Sequence, residues 1–222
     1  MRVFDIIFSL LGLLFLSPIF VIVVFVLRFT GEGEVFFIQS RVGHCGKKFG
    51  IVKFATMLKD SPNLGSGTIT SKDDPRILPI GRILRKTKIN ELPQLYNILI
   101  GDMSIIGPRP HAPRDLEGVS KDVLKDVLTL KPGLSGIASI IFRNEEEIMQ
   151  KFESPRVLYD TLIAPYKAEL ELWYFKNSSL RLYFFLIFAT CISVISGRSD
   201  FIFKLLPSLP KPTNDVATLL NL

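Results

Sequence analysis

The chain has 222 residues, a formal net charge of +6 and a hydrophobic share of 48%. This length favours one domain, with or without appendages, and the apolar share excludes a disordered chain. Its two cysteines, Cys45 and Cys191, are too few for a disulfide framework, and no Cys-x-x-Cys spacing indicates a zinc site.

Much of the mean hydropathy of +0.34 comes from residues 6–27, which contain no charge. A run of about 20 apolar residues is long enough to cross a bilayer. It is too long for the apolar part of a signal peptide, and no small-residue cleavage site precedes Arg28. Ser17-Pro18 interrupts the run, because proline lacks an N–H and kinks or breaks a helix. A kinked spanning helix and a helix that returns to the same side both remain open.

A turn-rich break at residues 30–34 is followed by a predicted β-hairpin, with strands at residues 35–39 and 49–54. Residues 59–75 are polar and loop-like. A helical pattern then begins at Ile80 and remains strongly basic.

Residues 76–109 concentrate cationic side chains, and two carboxylates accompany them: Arg76, Arg82, Arg85, Lys86, Lys88 and Arg109, with Glu91 and Asp102. Cations beside an apolar segment suggest anionic partners, such as lipid headgroups, a nucleotide diphosphate or a lipid phosphate. The simpler alternative is a solvated basic face that only attracts anionic lipid. No recognition-helix or stacking motif accompanies the basic stretch, so nucleic acid is not a predicted partner.

Residues 90–100 show a helical period, with Pro93 in the first turn and Gly101 as the C-cap. Glu91 lies at the predicted start of this helix, where the helix dipole favours a carboxylate. It could bind Mg²⁺, which takes one or two carboxylates together with substrate phosphates. The alternative is an ordinary first-turn glutamate. Farther along, two prolines hold Arg109 on a stiff turn that suits a phosphate clamp.

The second half of the chain predicts an amphipathic helix at 120–130, a strand at 137–142, and helices over 145–175 that are interrupted at Pro155 and bent at Pro165. Residues 182–195 are apolar but too short to span a bilayer comfortably. They predict a core helix or one lying in the membrane interface. The tail after Gly197 is spaced by prolines and is expected to pack loosely.

Three segments together resemble the central signature of the bacterial sugar transferases, the small monotopic phosphoglycosyl transferases of glycan assembly. They are residues 90–97 (NELPQLYN), 101–104 (GDMS) and 107–110 (GPRP). Further agreement lies at Ser17-Pro18 and at residues 39–43, 53–57 and 131–136. The resemblance extends from residue 1 to about residue 180.

This resemblance implies a helix-rich α/β fold in three parts. Residues 1–30 would form a re-entrant membrane helix broken at Ser17-Pro18. Residues 31–180 would form a small cytoplasmic catalytic domain with a short β-hairpin and interfacial amphipathic helices. Residues 181–222 would form an apolar interfacial helix and a tail. The implied location is the cytoplasmic face of the bacterial inner membrane, bound monotopically.

The resemblance also implies transfer of a sugar 1-phosphate from a UDP-sugar to polyprenol (undecaprenyl) phosphate, with release of UMP. The product, a polyprenol-diphosphate sugar, would begin assembly of a capsule, O-antigen or glycoprotein glycan and would pass to downstream glycosyltransferases. Members use Mg²⁺, and Glu91 matches the residue that helps to hold it. The positions expected to contact substrate phosphates are Arg85 and Arg109, followed by Lys53, Arg41 and Arg76.

The chain departs from the family pattern at Asn90, where members carry the aspartate that attacks phosphorus. Ala55 replaces a basic residue, and residues 137–139 replace a commoner Trp-Ala-Gln. Four interpretations follow: deamidation of Asn90, attack by Glu91, direct attack by the lipid phosphate, or an inactive membrane scaffold that binds lipid phosphate. An active transferase is favoured, because the other phosphate-handling residues are present.

Overall fold

The computed structural model describes residues 1–61, 74–112 and 126–220. Its contacts divide the chain into two compact units. The first unit comprises residues 2–40 and 50–101, and the second comprises Met1, residues 41–49 and residues 102–222. The elements confirm a helix-rich α/β fold with a small hairpin. The domain boundaries expected near residues 30 and 180 stay predictions.

The first unit begins with two apolar helices, α1 (Arg2–Phe15) and α2 (Ser17–Phe29), which are bent by 60° at the break between them. Pro18 lies in the first turn of α2, where its missing N–H costs nothing. The hydroxyl of Ser17 donates to the carbonyl of Leu14 at 2.7 Å, which satisfies one acceptor at the break. Among the described residues no single helix has the length and apolarity of a membrane span, whereas this bent pair has both when taken together.

The remaining elements of the first unit carry the signature segment. Strands β1 (Phe36–Val42) and β2 (Lys48–Phe54) form the predicted hairpin, whose tip belongs to the second unit. Helix α3 (Pro79–Lys86) leads into a 3₁₀ turn at Ile89–Glu91 and then into α4 (Gln94–Ile100). Gly101 ends α4 in the left-handed conformation, as predicted.

Both ends of the bent pair are held by the first unit. The guanidinium of Arg2 donates to the carbonyls of Ile98 and Leu99 at the end of α4. At the other end, Leu27 is fully buried in a cluster with Phe54 and Leu84. Burial of side chains of this size contributes about 1.5–3 kcal/mol each, so the last turns of α2 are firmly attached.

Helix α1 buries its polar and small residues and exposes its large apolar ones. Asp5 and Ser9 are buried, and Gly12 packs against Leu95 of α4. The exposed residues are Val3, Ile6, Ile7, Phe8, Leu10, Leu11, Leu14 and Phe15. Small and polar residues at helix contacts, with large apolar residues outside, are typical of helices that pack in lipid.

In the second unit, β3 (Ser104–Ile106) runs parallel to β4 (Gly133–Ser135), with Ser104 opposite Gly133. The strand predicted at 137–142 is wrong, because Ile137–Ile141 forms a short helix, α5. Four of its five side chains are buried. An apolar run without a polar face has no period that separates strand from helix, so the sequence could not decide between them.

The rest of the second unit is helical: α6 (Glu145–Met149), α7 (Pro155–Leu158), a π-helical turn (Tyr159–Ile163), α8 (Ala164–Asn177), α9 (Leu180–Ser196), α10 (Phe201–Leu205) and α11 (Asn214–Leu219). The tail is not loosely packed as expected, because Ile202, Leu209 and Val216 are buried. The predicted helix at 120–130 lies mostly outside the described residues, as does most of the loop predicted at 59–75.

Candidate phosphate-handling site

The sequence predicted that Asn90 and Glu91 begin the helix over residues 90–100. They lie instead in the 3₁₀ turn that precedes α4. Lys88, just before this turn, adopts the left-handed conformation with φ of 60°. That conformation costs a non-glycine residue roughly 1–2 kcal/mol, so packing around the turn must impose it. The result is that two consecutive polar residues are presented by a tightly constrained piece of backbone.

Glu91 is brought to Lys53 of β2. The ammonium nitrogen of Lys53 lies 3.4 Å from Oε1 of Glu91, and both side chains are about four-fifths buried. A partly buried ion pair of this kind is screened less by salt than an exposed one. The structure therefore joins two of the residues that the resemblance singles out, although they are far apart in sequence.

Asn90 is buried, and its side-chain oxygen has no hydrogen-bond partner. Leaving such a group unsatisfied costs about 1–3 kcal/mol. An unpartnered amide oxygen on the residue that directly precedes Glu91 is an acceptor that a ligand could engage. It carries no negative charge, unlike the aspartate expected at this position.

Asn97 was part of the signature but had no predicted role, and the structure assigns it one. Its side-chain oxygen accepts from the N–H of Val52 at 2.9 Å, and its side-chain nitrogen donates to the carbonyl of Gly50 at 2.8 Å. These bonds tie α4 to β2 and thereby fix the spacing between the Asn90–Glu91 turn and Lys53. The side-chain amide of an Asn accepts and donates at the same time, which suits such a pair of backbone groups.

Arg85 and Arg76 have different surroundings in the first unit. Arg85 is partly buried near the end of α3, and its guanidinium contacts the sulfur of Met57 at 3.9 Å. Arg76 is buried, pairs with Asp74 through two side-chain bonds and donates to the carbonyl of Ser61 at 2.8 Å. The bonds to Asp74 raise the pKa of Arg76. This arrangement gives Arg76 a structural function, and a phosphate contact by Arg76 stays a prediction.

The other two predicted cations, Arg41 and Arg109, belong to the second unit. Arg109 is exposed, while Pro108 and Pro110 on either side of it are buried. The two buried prolines therefore hold the backbone while the arginine side chain points to solvent, as a phosphate clamp requires. Arg41 is partly buried at the end of β1.

A buried carboxylate that the sequence did not single out supports the Arg109 turn. Glu171 of α8 accepts from the N–H of Arg109 at 3.3 Å and lies 3.4 Å from a ring nitrogen of His111. The N–H of Val42 also donates to the carbonyl of His111, and this backbone bond holds the same segment. The turn and α8 are about sixty residues apart in sequence, so only the fold could reveal this contact.

The described residues fit a magnesium ion only if a substrate completes its coordination. No group of three histidine, cysteine or acidic side chains occurs in the described part of the chain. Glu91 offers one carboxylate, and the unpartnered oxygen of Asn90 offers a second hard ligand. Mg²⁺ commonly binds through one or two carboxylates with substrate phosphates and water, so Glu91 supplies the one carboxylate needed and the substrate would supply most of the remaining ligands.

Comparison with known proteins places these segments in one family. Residues 1–197 match the family described as bacterial sugar transferase. The exopolysaccharide production protein ExoY of Sinorhizobium fredii is 32% identical over 214 residues, which cover 90% of this chain and 87% of that protein. The exopolysaccharide production protein PSS of Rhizobium leguminosarum bv. phaseoli is 32% identical over 209 residues, or 97% of its length.

A longer relative carries a more specific name. The UDP-glucose:undecaprenyl-phosphate glucose-1-phosphate transferase of Klebsiella pneumoniae is 37% identical over 166 residues. That alignment covers 72% of this chain but 35% of the relative. The chain therefore spans about a third of this transferase, whereas it spans most of the exopolysaccharide production proteins.

Proposed function

The chain belongs to the bacterial sugar transferase family, as its signature segments predicted, and from that premise we propose that it transfers a sugar 1-phosphate from a UDP-sugar to polyprenol (undecaprenyl) phosphate. The products are a polyprenol-diphosphate sugar and UMP. The observation that carries the proposal is the partly buried Lys53–Glu91 pair in the signature segment. The residue before Glu91 in the chain, Asn90, has a buried side-chain oxygen without a hydrogen-bond partner. The printed name of the Klebsiella relative, with its UDP-glucose donor and lipid phosphate acceptor, supports the proposal.

The residues of this chain supply positioning and charge, which are the main contributions of a protein to phosphoryl transfer. In the first unit Lys53 and Arg85 offset charge on the donor phosphates, while Glu91 stays oriented by its pair with Lys53. In the second unit Arg109 offers a planar, bidentate contact to phosphate. Mg²⁺, held by Glu91 and the oxygen of Asn90, would supply further neutralisation of charge on the phosphate oxygens when it is bound.

An amide at position 90 limits the chemistry of the first step. Asn90 cannot attack phosphorus as a carboxylate does, because its oxygen carries no negative charge. Three routes remain for an active enzyme: deamidation converts Asn90 to an aspartate that attacks the sugar-linked phosphorus, the carboxylate of Glu91 attacks it, or an oxygen of the lipid phosphate attacks it directly. In each route a new P–O bond forms, the bond between the two phosphates breaks, and UMP leaves. The two carboxylate routes produce a phosphosugar on the protein, from which an oxygen of the lipid phosphate then displaces the carboxylate. Direct attack produces no such adduct.

We also propose that α1 and α2 enter the cytoplasmic leaflet of the bacterial inner membrane and return, so that the chain is monotopic. Two features support this arrangement. The start of α1 and the end of α2 are held by the same unit, through Arg2 and Leu27. The large side chains around the bend are exposed, including Phe15, Ile19 and Ile22, and such a surface suits lipid.

The activity is tested by incubating the purified full chain with Mg²⁺, polyprenol phosphate and a panel of UDP-sugars, and measuring UMP. We expect one donor to give UMP release. If the lipid phosphate attacks directly, this release requires polyprenol phosphate. If a carboxylate of the protein attacks, a single turnover of UMP appears even without polyprenol phosphate. Mass spectrometry of the intact protein then separates the routes by the phosphosugar adduct. Release of no UMP with any donor would contradict the proposal.

The substitution Asn90→Asp tests what the amide does. If the native residue merely impairs the family reaction, we expect Asn90→Asp to raise the rate of UMP release by at least about tenfold, because a positioned carboxylate adds a covalent route. Loss of activity would instead indicate a mechanism built around the amide. Asn144→Asp is the matched control, since Asn144 is exposed and lies in the second unit, and it should leave the rate unchanged.

A second candidate function follows from Asn90 alone: a catalytically silent membrane protein that binds lipid phosphate or partner enzymes. It predicts binding of polyprenol phosphate without UMP release from any donor. Activity gained only in Asn90→Asp would favour this alternative, because it would show an otherwise intact site that lacks its nucleophile.

A further inference from the structure

Helix α3 packs along one side against the rest of the first unit and starts beside the end of α2. Gly81 and Leu84 are buried, and Leu84 belongs to the same cluster as Leu27 of α2. Just before α3, a methyl carbon of Leu78 lies 2.9 Å from where a Cβ on Gly31 would be. Since Gly31 follows α2 by two residues, α3 lies next to the C-terminal end of the bent helix pair.

The cations of α3 divide between two sides of the helix. At about 100° per residue, Arg82, Ile83 and Lys86 turn away from the buried Gly81 and Leu84, whereas Arg85 falls at the edge nearest Gly81. The exposures agree, because Arg82 and Lys86 are exposed, Ile83 is 58% exposed and Arg85 is partly buried. Arg85 contacts Met57, which follows β2.

We propose that the outward face of α3, formed by Arg82, Ile83 and Lys86, binds the anionic headgroups of the bilayer surface, independently of the substrate phosphates. This inference rests on the proposed embedding of α1 and α2. It assigns different ligands to cations that the sequence had grouped together: donor phosphates to Arg85 and membrane lipid to Arg82 and Lys86.

Charge and apolar character both favour lipid as the occupant. An exposed isoleucine on the same face as two cations combines the apolar and basic side chains of helices that lie in the membrane interface. The adjoining end of α2 continues this character with Phe29, which is 73% exposed, and with the exposed Arg28. The carboxylates nearest in sequence to that end are Glu32 and Glu34, and Glu34 is engaged by Lys59 at 2.6 Å.

A depth-dependent quenching experiment tests the proposal on the full chain. A fluorescent probe is attached to Ile83→Cys in a Cys45→Ser/Cys191→Ser background, and the protein is placed in nanodiscs of phosphatidylcholine and phosphatidylglycerol in equal amounts. A headgroup spin label is carried by one lipid or the other. We expect quenching by labelled phosphatidylglycerol to exceed quenching by labelled phosphatidylcholine about threefold or more at low salt, because each cation attracts anionic lipid. High salt should reduce the ratio towards one.

Two double variants separate a specific face from net charge. Arg82→Gln/Lys86→Gln should bring the ratio to one without changing UMP release in detergent. Lys151→Gln/Lys211→Gln removes the same charge from exposed positions of the second unit and should leave the ratio unchanged. A ratio of one before any charge is removed, absence of quenching at position 83, or equal loss in both double variants would each overturn the proposal.

A probe at the bend distinguishes failure of this inference from failure of the proposed embedding. Val21→Cys places the probe on an exposed side chain of α2, where a spin label on the acyl chains should quench it. Quenching at position 21 but not at position 83 would overturn the headgroup contact alone. Absence of quenching at both positions would overturn the embedding as well.

Discussion

At the scale of single residues, Asn97 determines how the candidate site is assembled. Its side chain is almost fully buried and bonds to two backbone groups of β2. Removing the amide therefore takes away a partner from a donor and from an acceptor at the helix contact. The consequence should extend to the Lys53–Glu91 pair, since Lys53 follows Val52 directly.

We expect Asn97→Ala to lower the free energy of unfolding by about 2–3 kcal/mol, because two hydrogen bonds are lost at a buried site. Thermal unfolding of the purified protein measures this. Asn177→Ala is a matched control, because Asn177 is exposed and makes one local bond to the carbonyl of Trp173. Its cost should stay within about 0.5 kcal/mol. Equal losses in the two variants would contradict the function assigned to Asn97.

The site residues could be predicted from sequence only where a local motif carried them. Glu91 and Arg109 were located because their segments are contiguous, and the exposure of Arg109 between two buried prolines agrees with the stiff turn predicted there. The bonding of Asn97 and Glu171 could not be predicted. Each contact joins segments more than forty residues apart, and no local pattern encodes such a distance.

At the scale of elements, the close approach of β3 and β4 depends on Gly133. A Cβ at this position would lie 2.2 Å from the backbone nitrogen of Gly107 and 2.4 Å from the carbonyl oxygen of Ser135. Neither backbone can move without separating the two strands. The Gly-Pro-Arg-Pro turn begins at Gly107, so the contact at Gly133 also fixes the position from which the turn carries Arg109.

We expect Gly133→Ala to destabilise the protein by about 3 kcal/mol or more, because the added methyl overpacks a backbone contact. Gly46→Ala is the control. Gly46 has φ of +74° but open space around it, so only the conformational cost of about 1–2 kcal/mol applies. Denaturant unfolding of both variants compares the two costs. A smaller loss for Gly133→Ala than for Gly46→Ala would contradict the packing argument.

Helices α6 and α8 are joined by a buried ion pair between Glu145 and Lys167, 2.6 Å apart. Burial lowers the pKa of Lys167, and the neighbouring Glu145 opposes that shift. The ammonium group also lies over the rings of Phe142 and Tyr159. The free-energy gain of the pair is therefore offset by the cost of removing the ammonium group from water.

We expect Lys167→Met to cost about 3 kcal/mol, because it leaves Glu145 unpaired and largely buried. Lys167→Met/Glu145→Gln should recover most of that loss, since it removes both charges from the interior. Chemical denaturation of the two variants provides the comparison. A double variant no more stable than the single one would show that the pair itself, and not the unpaired charge, accounts for the loss.

Element type was predictable where the sequence has a period and unpredictable where it lacks one. The hairpin strands and α9 were predicted close to their observed bounds, because their pattern or length distinguishes them. The short apolar run at α5 was wrongly predicted as a strand, because without a polar face it shows no period that distinguishes a helix from a strand. In the tail, prolines suggested loose packing, but widely spaced apolar side chains such as Ile202 and Val216 provide anchors that no short window reveals.

At the scale of the whole molecule, the attachments of the bent helix pair bear on how the chain is placed relative to the bilayer. The apolar run alone left a kinked span and a re-entrant helix equally open, and the family resemblance implied the re-entrant helix. A kinked span puts the ends of the apolar segment on opposite sides of the membrane. Here Arg2 bonds to the end of α4, and Leu27 packs with Phe54, so both ends are attached to one unit. A folded unit cannot lie on both sides, and this physical argument favours re-entry.

Cysteine labelling measures the topology directly. In a Cys45→Ser/Cys191→Ser background, Val3→Cys and Thr30→Cys mark the two ends of the bent pair at exposed positions, and neither change removes the bonds of Arg2. We expect a membrane-impermeant maleimide to label both in inside-out vesicles and neither in intact spheroplasts, because the proposed topology puts both ends on the cytoplasmic side. Val21→Cys, near the bend, should resist labelling from either side, since the acyl chains exclude the reagent. Labelling of positions 3 and 30 from opposite sides would require α1 and α2 to span the bilayer, and the attachments of Arg2 and Leu27 could not then both persist in the membrane.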